Sequence, residues 1–199
     1  MLYRECMFDR TRRPLLVRVV VRSAMVCMMA CSLVACSPDS EPIPTVSDTP
    51  TISMFESRDL AFEAAKAAYS EYFRLSDVIA AEGGANPQRI AETVTPSFLT
   101  TSLEGFDELS QAGIRTTGQT NVRSVNLQDV QENNGLAVVT IYVCVDVSDI
   151  RVVDARGTDV TAANRNDRVS LVAQMVSREA GSTALVVSEN EPWSGTSFC

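Results

Sequence analysis

Between Ser57 and Gly83 the apolar residues recur every three or four positions along the chain. This spacing is typical of an amphipathic helix with one buried face. The stripe consists of Ala61, Ala65, Ala68, Tyr72, Leu75 and Ile79. Ser57 has the side chain of a helix N-cap, and Gly83-Gly84 supplies the stop signal. The pattern therefore predicts one long helix at the start of the folded domain.

Two shorter helices are predicted from their end signals. Pro87 can open a short helix that runs to Thr93. Thr95 is a candidate cap for another, with Pro96 in its first turn and Gly113 just past its end. The first half of the domain is therefore predicted to be helical throughout.

From residue 121 onward the period changes, because apolar and polar residues now alternate, as in strands with one buried face. Four segments show strand character: residues 121–131, 136–153, 167–177 and 183–190. Asn134-Gly135 separates the first two and is a strong hairpin signal, since a type I′ turn needs positive φ at both central residues. One face of the second segment carries Val139, Ile141, Val143, Val145 and Val147. We predict an α+β domain whose N-terminal helices cover one face of a four-stranded antiparallel sheet.

The chain before the helices has two different compositions. Residues 36–57 contain four of the eight prolines together with Ser, Thr and Asp, which predicts a disordered linker. Residues 1–22 are rich in arginine and residues 23–35 carry no charge. An uncharged run of 13 residues is shorter than the roughly 20 that a membrane-spanning helix needs. Residues 1–35 are therefore predicted to be a secretory signal, with a buried core helix as the alternative.

The end of this signal, Leu33-Val34-Ala35-Cys36, resembles the lipobox of bacterial lipoproteins. The resemblance implies that the signal is removed before Cys36 and that the Cys36 sulfur carries a diacylglyceryl group. Two acyl chains give stable anchoring, here at the extracytoplasmic face of the cell membrane. Met28-Met29-Ala30-Cys31 is the alternative lipidation site. Export is predicted to follow the general secretion route, with a twin-arginine-like motif at Thr11–Leu16 as the alternative.

Residues 58–199 resemble the nuclear-transport-factor-2-like (NTF2-like, or cystatin-like) cone, especially in lipoproteins of high-GC Gram-positive bacteria. The resemblance rests on the order of the predicted elements, on "YVCVDV" and on the terminal "SGTSFC". It implies a bent sheet whose interior often forms a pocket. The aromatic residues of the helices and Trp193 are predicted to be core, with an apolar ligand pocket as the alternative. The helical set is Tyr69, Tyr72, Phe73, Phe98 and Phe106.

The cysteines separate by segment. Three of the six lie in the signal: Cys6, Cys27 and Cys31. With Cys36 assigned to the lipid, Cys144 and Cys199 remain as two thiols in an oxidising compartment. We predict a disulfide between them, with two buried free thiols as the alternative.

Charge and composition exclude several functions. The chain has a net charge of -8, and the acidic excess lies after residue 35, so nucleic acid is not expected as a partner. There is no histidine, which removes serine and cysteine triads that depend on it and the commonest metal ligand. The aspartates at positions 146, 149, 154 and 159 lack the spacing of a calcium-binding EF-hand loop. No metal and no cofactor are predicted.

One catalytic alternative remains open. Asp146 lies in an apolar strand on the same face as Tyr142, and enzymes of the cone fold can pair an Asp base with a Tyr donor. Tyr69 and Tyr72 could also donate. The more apolar face, however, is the one that carries Val139, so Asp146 is predicted to point outward and no residue is predicted to be catalytic.

These observations together predict a lipid-anchored extracytoplasmic protein without enzymatic activity. Its domain is expected to bind an envelope protein or a small apolar ligand. A homodimer through the exposed sheet face and a small-molecule enzyme of the same fold are the alternatives.

Overall fold

The computed structural model describes residues 54–199. The predicted signal, Cys36 and the linker up to residue 53 lie outside the described residues. The predicted linker includes residues 54–57, but these residues belong to the folded domain. Phe55 is only 6% exposed and packs into the hydrophobic core, so the domain starts a few residues earlier than the composition indicates.

The helices begin and end where the capping residues predict. They are α1 (Arg58–Ala81), a 3₁₀ helix (Pro87–Glu92) and α2 (Pro96–Ala112). Ser57 Oγ accepts a hydrogen bond from the Leu60 amide at 3.2 Å, and Thr95 Oγ1 accepts one from the Phe98 amide at 3.3 Å. Each cap satisfies an amide that has no partner within its helix.

Gly84 allows α2 to pack closely against the end of α1. Its φ is +81°, and a Cβ atom at this position would lie 2.3 Å from the Phe106 carbonyl oxygen. No larger residue fits there without moving α2. The glycine pair therefore ends α1 and also brings the two helices together.

Six strands follow the helices. They are β1 (Ile114–Thr117), β2 (Asn121–Asn133), β3 (Leu136–Asp146), β4 (Arg151–Asp154), β5 (Arg168–Ser177) and β6 (Leu185–Pro192). Four form an antiparallel sheet in the order β2-β3-β5-β6, which confirms the predicted meander and the α+β class. Asn134 and Gly135 have φ values of +52° and +74°, as the predicted hairpin turn requires.

The prediction of one continuous strand over residues 136–153 is wrong. The strand stops at Asp146, and a turn closed by the Ile150 amide and the Val147 carbonyl leads into β4. The Asp146 carboxylate accepts the Ser148 amide at 2.9 Å, the local hydrogen bond by which aspartate favours turns. β4 then pairs with β1, a four-residue strand that the sequence pattern does not reveal.

The core lies between the helices and one face of the four-stranded sheet. Val139, Ile141, Val143 and Val145 of β3 are fully buried there. Small residues on α1, among them Ala61 and Ala65, face the same core and let the helix approach closely. The opposite face of the sheet, called the outer face below, carries the intervening residues of each strand.

Candidate functional site

Two tyrosines of α1 lie in the space between the helices and the sheet. The Tyr69 hydroxyl donates to Asn190 Oδ1 of β6 at 2.8 Å, and both residues are buried. Burial raises the pKa of Tyr72 to about 12. Burial also raises the pKa of Tyr69. Both phenols are therefore neutral, and the Tyr69 hydroxyl connects α1 to β6.

Aromatic rings fill this part of the interior. The Tyr69 and Phe73 rings meet edge to face with centroids 4.9 Å apart, and the Tyr72 and Phe98 rings are 6.1 Å apart. Phe106 is buried in the same core. The helical aromatics are thus core residues as predicted, and their close packing disfavours a small apolar ligand at this position.

Asp146 lies on the outer face and holds together the end of β3. Its side chain is only 3% exposed, and Oδ2 lies 2.9 Å from Arg123 Nη2 and 3.5 Å from Arg168 Nε. The hydrogen bonds from Ser148, followed by the Arg123 guanidinium, hold the pKa of Asp146 well below its usual range. The outward direction of Asp146 is therefore as predicted, and the carboxylate is an ionised structural group.

The residues of the catalytic alternative are not brought together. Asp146 and Tyr142 share the outer face, whereas Tyr69 and Tyr72 lie on the other side of the sheet in the core. Tyr69 and Tyr72 therefore cannot act together with Asp146 on one substrate atom. Tyr142 shares the outer face, but the Asp146 carboxylate is already engaged by Arg123 and by the Ser148 amide, so it is not a free base.

We expect Asp146→Asn to lower stability at neutral pH by more than it does in acid. A carboxylate whose folded pKa is lowered stabilises the fold above its unfolded pKa of about 3.9, and this contribution is lost as the pH falls through the folded value. The difference in free energy of unfolding between wild type and variant should therefore shrink below pH 4. Urea titrations at pH 7, 4 and 2.5 test this. The exposed Glu108→Gln of α2 is the control, and a difference for Asp146→Asn that stays constant with pH contradicts the assignment.

Mostly apolar residues form a surface on the outer face of the sheet, which we call the outer patch. It consists of Val138, Thr140, Tyr142, Val172, Trp193 and Phe198. The Tyr142 ring centroid lies 5.0 Å from that of Trp193 and 5.7 Å from that of Phe198, so the three rings form one cluster. Trp193 is 36% exposed and Phe198 is 38% exposed. The prediction that Trp193 is a core residue is therefore wrong.

The C-terminal residues 193–199 cross the outer face and are fixed to it. A disulfide joins Cys199 to Cys144 of β3, with Cα atoms 5.2 Å apart. The Trp193 amide donates to the Ser170 carbonyl at 2.8 Å, and the Phe198 amide donates to Ser170 Oγ at 3.1 Å. The predicted pair of cysteines thus places two aromatic rings beside Tyr142. The sequence contains one signal for this arrangement: strand alternation puts Tyr142 and Cys144 on the same face.

Charged residues border the outer patch. Glu189 and Glu191 of β6 are exposed and lie next to Gln174 and Val172 of β5. Arg123 and Arg168 lie at the other end of the sheet with Asp146. An apolar centre with a charged rim is the usual arrangement of a protein-binding surface.

Other kinds of site are not found in the described part of the chain. Within residues 54–199 no group of three acidic or cysteine side chains is arranged to hold a metal ion. No helix in the same range is both long and apolar enough to cross a membrane.

Comparison with known proteins finds distant similarities among solved structures, of which two follow. No protein-family model and no curated protein matches the sequence. One of the two is the crystal structure of the intermembrane space region of the chloroplast protein ARC6, with a sequence identity of 12% and a TM-score of 0.48. The match covers 67% of this chain and 96% of that one. CagV, a VirB8 homolog of a type IV secretion system from Helicobacter pylori, is 14% identical in sequence, with a TM-score of 0.37. The match covers 65% of this chain and 96% of CagV. Similarities this distant say nothing about what the chain binds.

Proposed function

We propose that the protein is an extracytoplasmic lipoprotein that is anchored through Cys36 and binds a protein partner of the cell envelope with its outer patch. The aromatic cluster in which the exposed Trp193 and Phe198 pack on the half-buried Tyr142 is the observation that carries the binding role. Aromatic residues are enriched in binding surfaces because they bury a large area at a low cost in conformational entropy. The lipobox-like end of the signal, Leu33–Cys36, supports the anchor.

The same patch favours a second candidate, a homodimer. A two-fold axis through an apolar sheet face would bury the same rings on both copies. The glutamates on β6 oppose close approach of two copies, since like charges would meet across any interface that brings both β6 edges together. A different partner with an apolar centre and basic rim therefore fits the patch better.

Site-specific photo-crosslinking in intact cells tests the patch. We expect a photoreactive amino acid at Thr140, on the outer face, to give a defined product. The same group at the exposed Glu108 of α2 should give none. Adding Val172→Arg should reduce the product by about tenfold or more, because an unpaired charge is then buried in an apolar interface.

The mass of the product distinguishes the two candidates. A product of twice the protein's mass identifies a homodimer, and another mass identifies a different partner. If Thr140 gives no product, or if Glu108 gives the same product, the outer patch is not the binding surface.

A further inference from the structure

A cleft lies on another side of the domain, between α1 and the beginning of β2. It has a volume of about 450 Å³, and its lining includes Phe73, Arg74, Val78, Gln119, Thr120 and Val122. The helical residues come from one stripe of α1, and the others from the β1–β2 loop and the first residues of β2. None of them belongs to the outer patch. We call this feature the flank cleft.

The walls of the flank cleft are fixed by contacts to two other parts of the fold. The Asp77 carboxylate of α1 accepts the Thr120 amide and the Thr120 hydroxyl, both at 2.8 Å. Gly118 has a φ of +89°, and a Cβ atom there would lie 2.1 Å from the Asp149 carbonyl oxygen. Asn121 Nδ2 also donates to the Asp149 carboxylate at 3.0 Å. The cleft is therefore preformed, which lowers the cost of binding.

The cleft opens beside a free strand edge. β2 is 13 residues long and lies at the edge of the sheet, with β3 on one side and no other strand on its far side within residues 54–199. Between two register shifts, residues Ser124–Leu127 pair regularly with β3. Alternate amide and carbonyl groups of such an edge point away from the sheet and can pair with another extended chain.

We propose that the flank cleft and the free edge of β2 together bind one extended peptide segment of a partner, with alternating apolar and basic side chains. Its backbone pairs with Ser124–Leu127, and an apolar side chain enters the cleft against Phe73, Val78 and Val122. Pairing of an extended peptide with an exposed strand edge is a general mode of peptide recognition, in which main-chain hydrogen bonds give affinity and pockets for alternate side chains give specificity.

Charge complementarity determines the basic side chains of this peptide. Residues 54–199 contain 11 Lys and Arg against 20 Asp and Glu, so the domain attracts cationic segments. Arg74, the basic residue of the cleft lining, is already held by a bidentate ion pair with Glu71, with contacts of 2.6 and 2.7 Å. An acidic peptide would find no free cation in this pair.

The test uses the hexapeptide Lys-Val-Lys-Val-Lys-Val, capped at both ends, with a soluble fragment of residues 37–199. Isothermal titration measures the affinity, and hydrogen exchange measures the protection of backbone amides. We expect the peptide to bind and to slow amide exchange in residues 121–133. A copy of the peptide in which alternate backbone amides are N-methylated keeps the charges and side chains but cannot donate main-chain hydrogen bonds to β2. It should bind at least about tenfold more weakly.

Two matched variants locate the site. Val78 is 36% exposed in the cleft, and Val160 is 49% exposed on a loop outside its lining, so the fold tolerates lysine at either position. We expect Val78→Lys to weaken binding about tenfold, because it removes an apolar contact and repels the basic peptide, and Val160→Lys to leave binding within twofold. Protection confined to residues 193–199, equal binding of both peptides, or equal effects of both variants overturns the proposal. So does a β2 edge occupied by a second copy, which would show as protection of residues 121–133 that rises with protein concentration in the absence of peptide. The crosslinking result at Thr140 does not depend on any of these outcomes.

Discussion

Replacing Cys36 with serine is expected to release the protein from the membrane. In the lipobox interpretation the sulfur of Cys36 carries the diacylglyceryl group through a thioether bond. Serine has no sulfur and cannot form this bond. Two acyl chains give stable anchoring, and the variant would lack them. After cell fractionation the variant should therefore move from the membrane fraction to the soluble fraction or remain unprocessed.

Cys31→Ser is the matched control, because Cys31 is the alternative lipidation site in the same signal. It should leave both anchoring and processing unchanged. A Cys36→Ser protein that remains membrane-bound and correctly processed would falsify the lipobox interpretation. Release by Cys31→Ser alone would move the anchor to the alternative site.

Removing the disulfide is expected to cause the largest loss of stability. The bond joins residues separated by 55 positions, and closing a loop of that length is worth about 4 kcal/mol through the entropy of the unfolded chain. The variant Cys144→Ser/Cys199→Ser should therefore lower the free energy of unfolding by about 4 kcal/mol. Denaturant titration of the soluble fragment of residues 37–199, oxidised and reduced, measures it.

A second effect of this variant should be local. Residues 193–199 cross the outer patch, so their release exposes Tyr142 and removes two rings from the cluster. We expect faster hydrogen exchange in these residues and weaker crosslinking from Thr140. The control is Ser194→Ala, an exposed position in the same C-terminal segment, which should leave both stability and exchange unchanged. An unchanged denaturation midpoint in the reduced wild type contradicts the prediction.

The helix boundaries were predictable because their signals are local. Ser57 and Thr95 cap amides three residues away, and Gly113 adopts a φ of +64° at the end of α2. The same holds for the Asn134-Gly135 turn, whose conformation depends on those two residues. Such features need no information about the rest of the fold.

The strand pattern was less informative where pairing is distant. β1 has four residues and gains its partner only from β4, which begins 34 positions after β1 ends. The break after Asp146 also went unrecognised, because the alternation of apolar residues continues through Val147. The Ser148 hydrogen bonds and the pairing with β1 outweigh that local preference.

Neither candidate binding surface could be found from the chain alone. The outer patch needs the C-terminal residues to cross the sheet, and this depends on a disulfide and on Ser170, far away in sequence. The flank cleft needs the β1–β2 loop to be held against α1 by Asp77. The environment of Asp146 was only partly predictable. Strand alternation placed it on the outer face, but its burial depends on Arg123 and Arg168, which lie on other strands.

The sequence by itself determined the helices, the hairpin, the α+β class and the inner face of the sheet, since each follows from periodicity or from caps and turns a few residues long. Tertiary structure decided which part of the outer face remains exposed, that Trp193 joins Tyr142 at the surface, and that a cleft forms beside β2. Those outcomes depend on contacts between residues tens of positions apart, whose free energies are realised only when the whole domain packs.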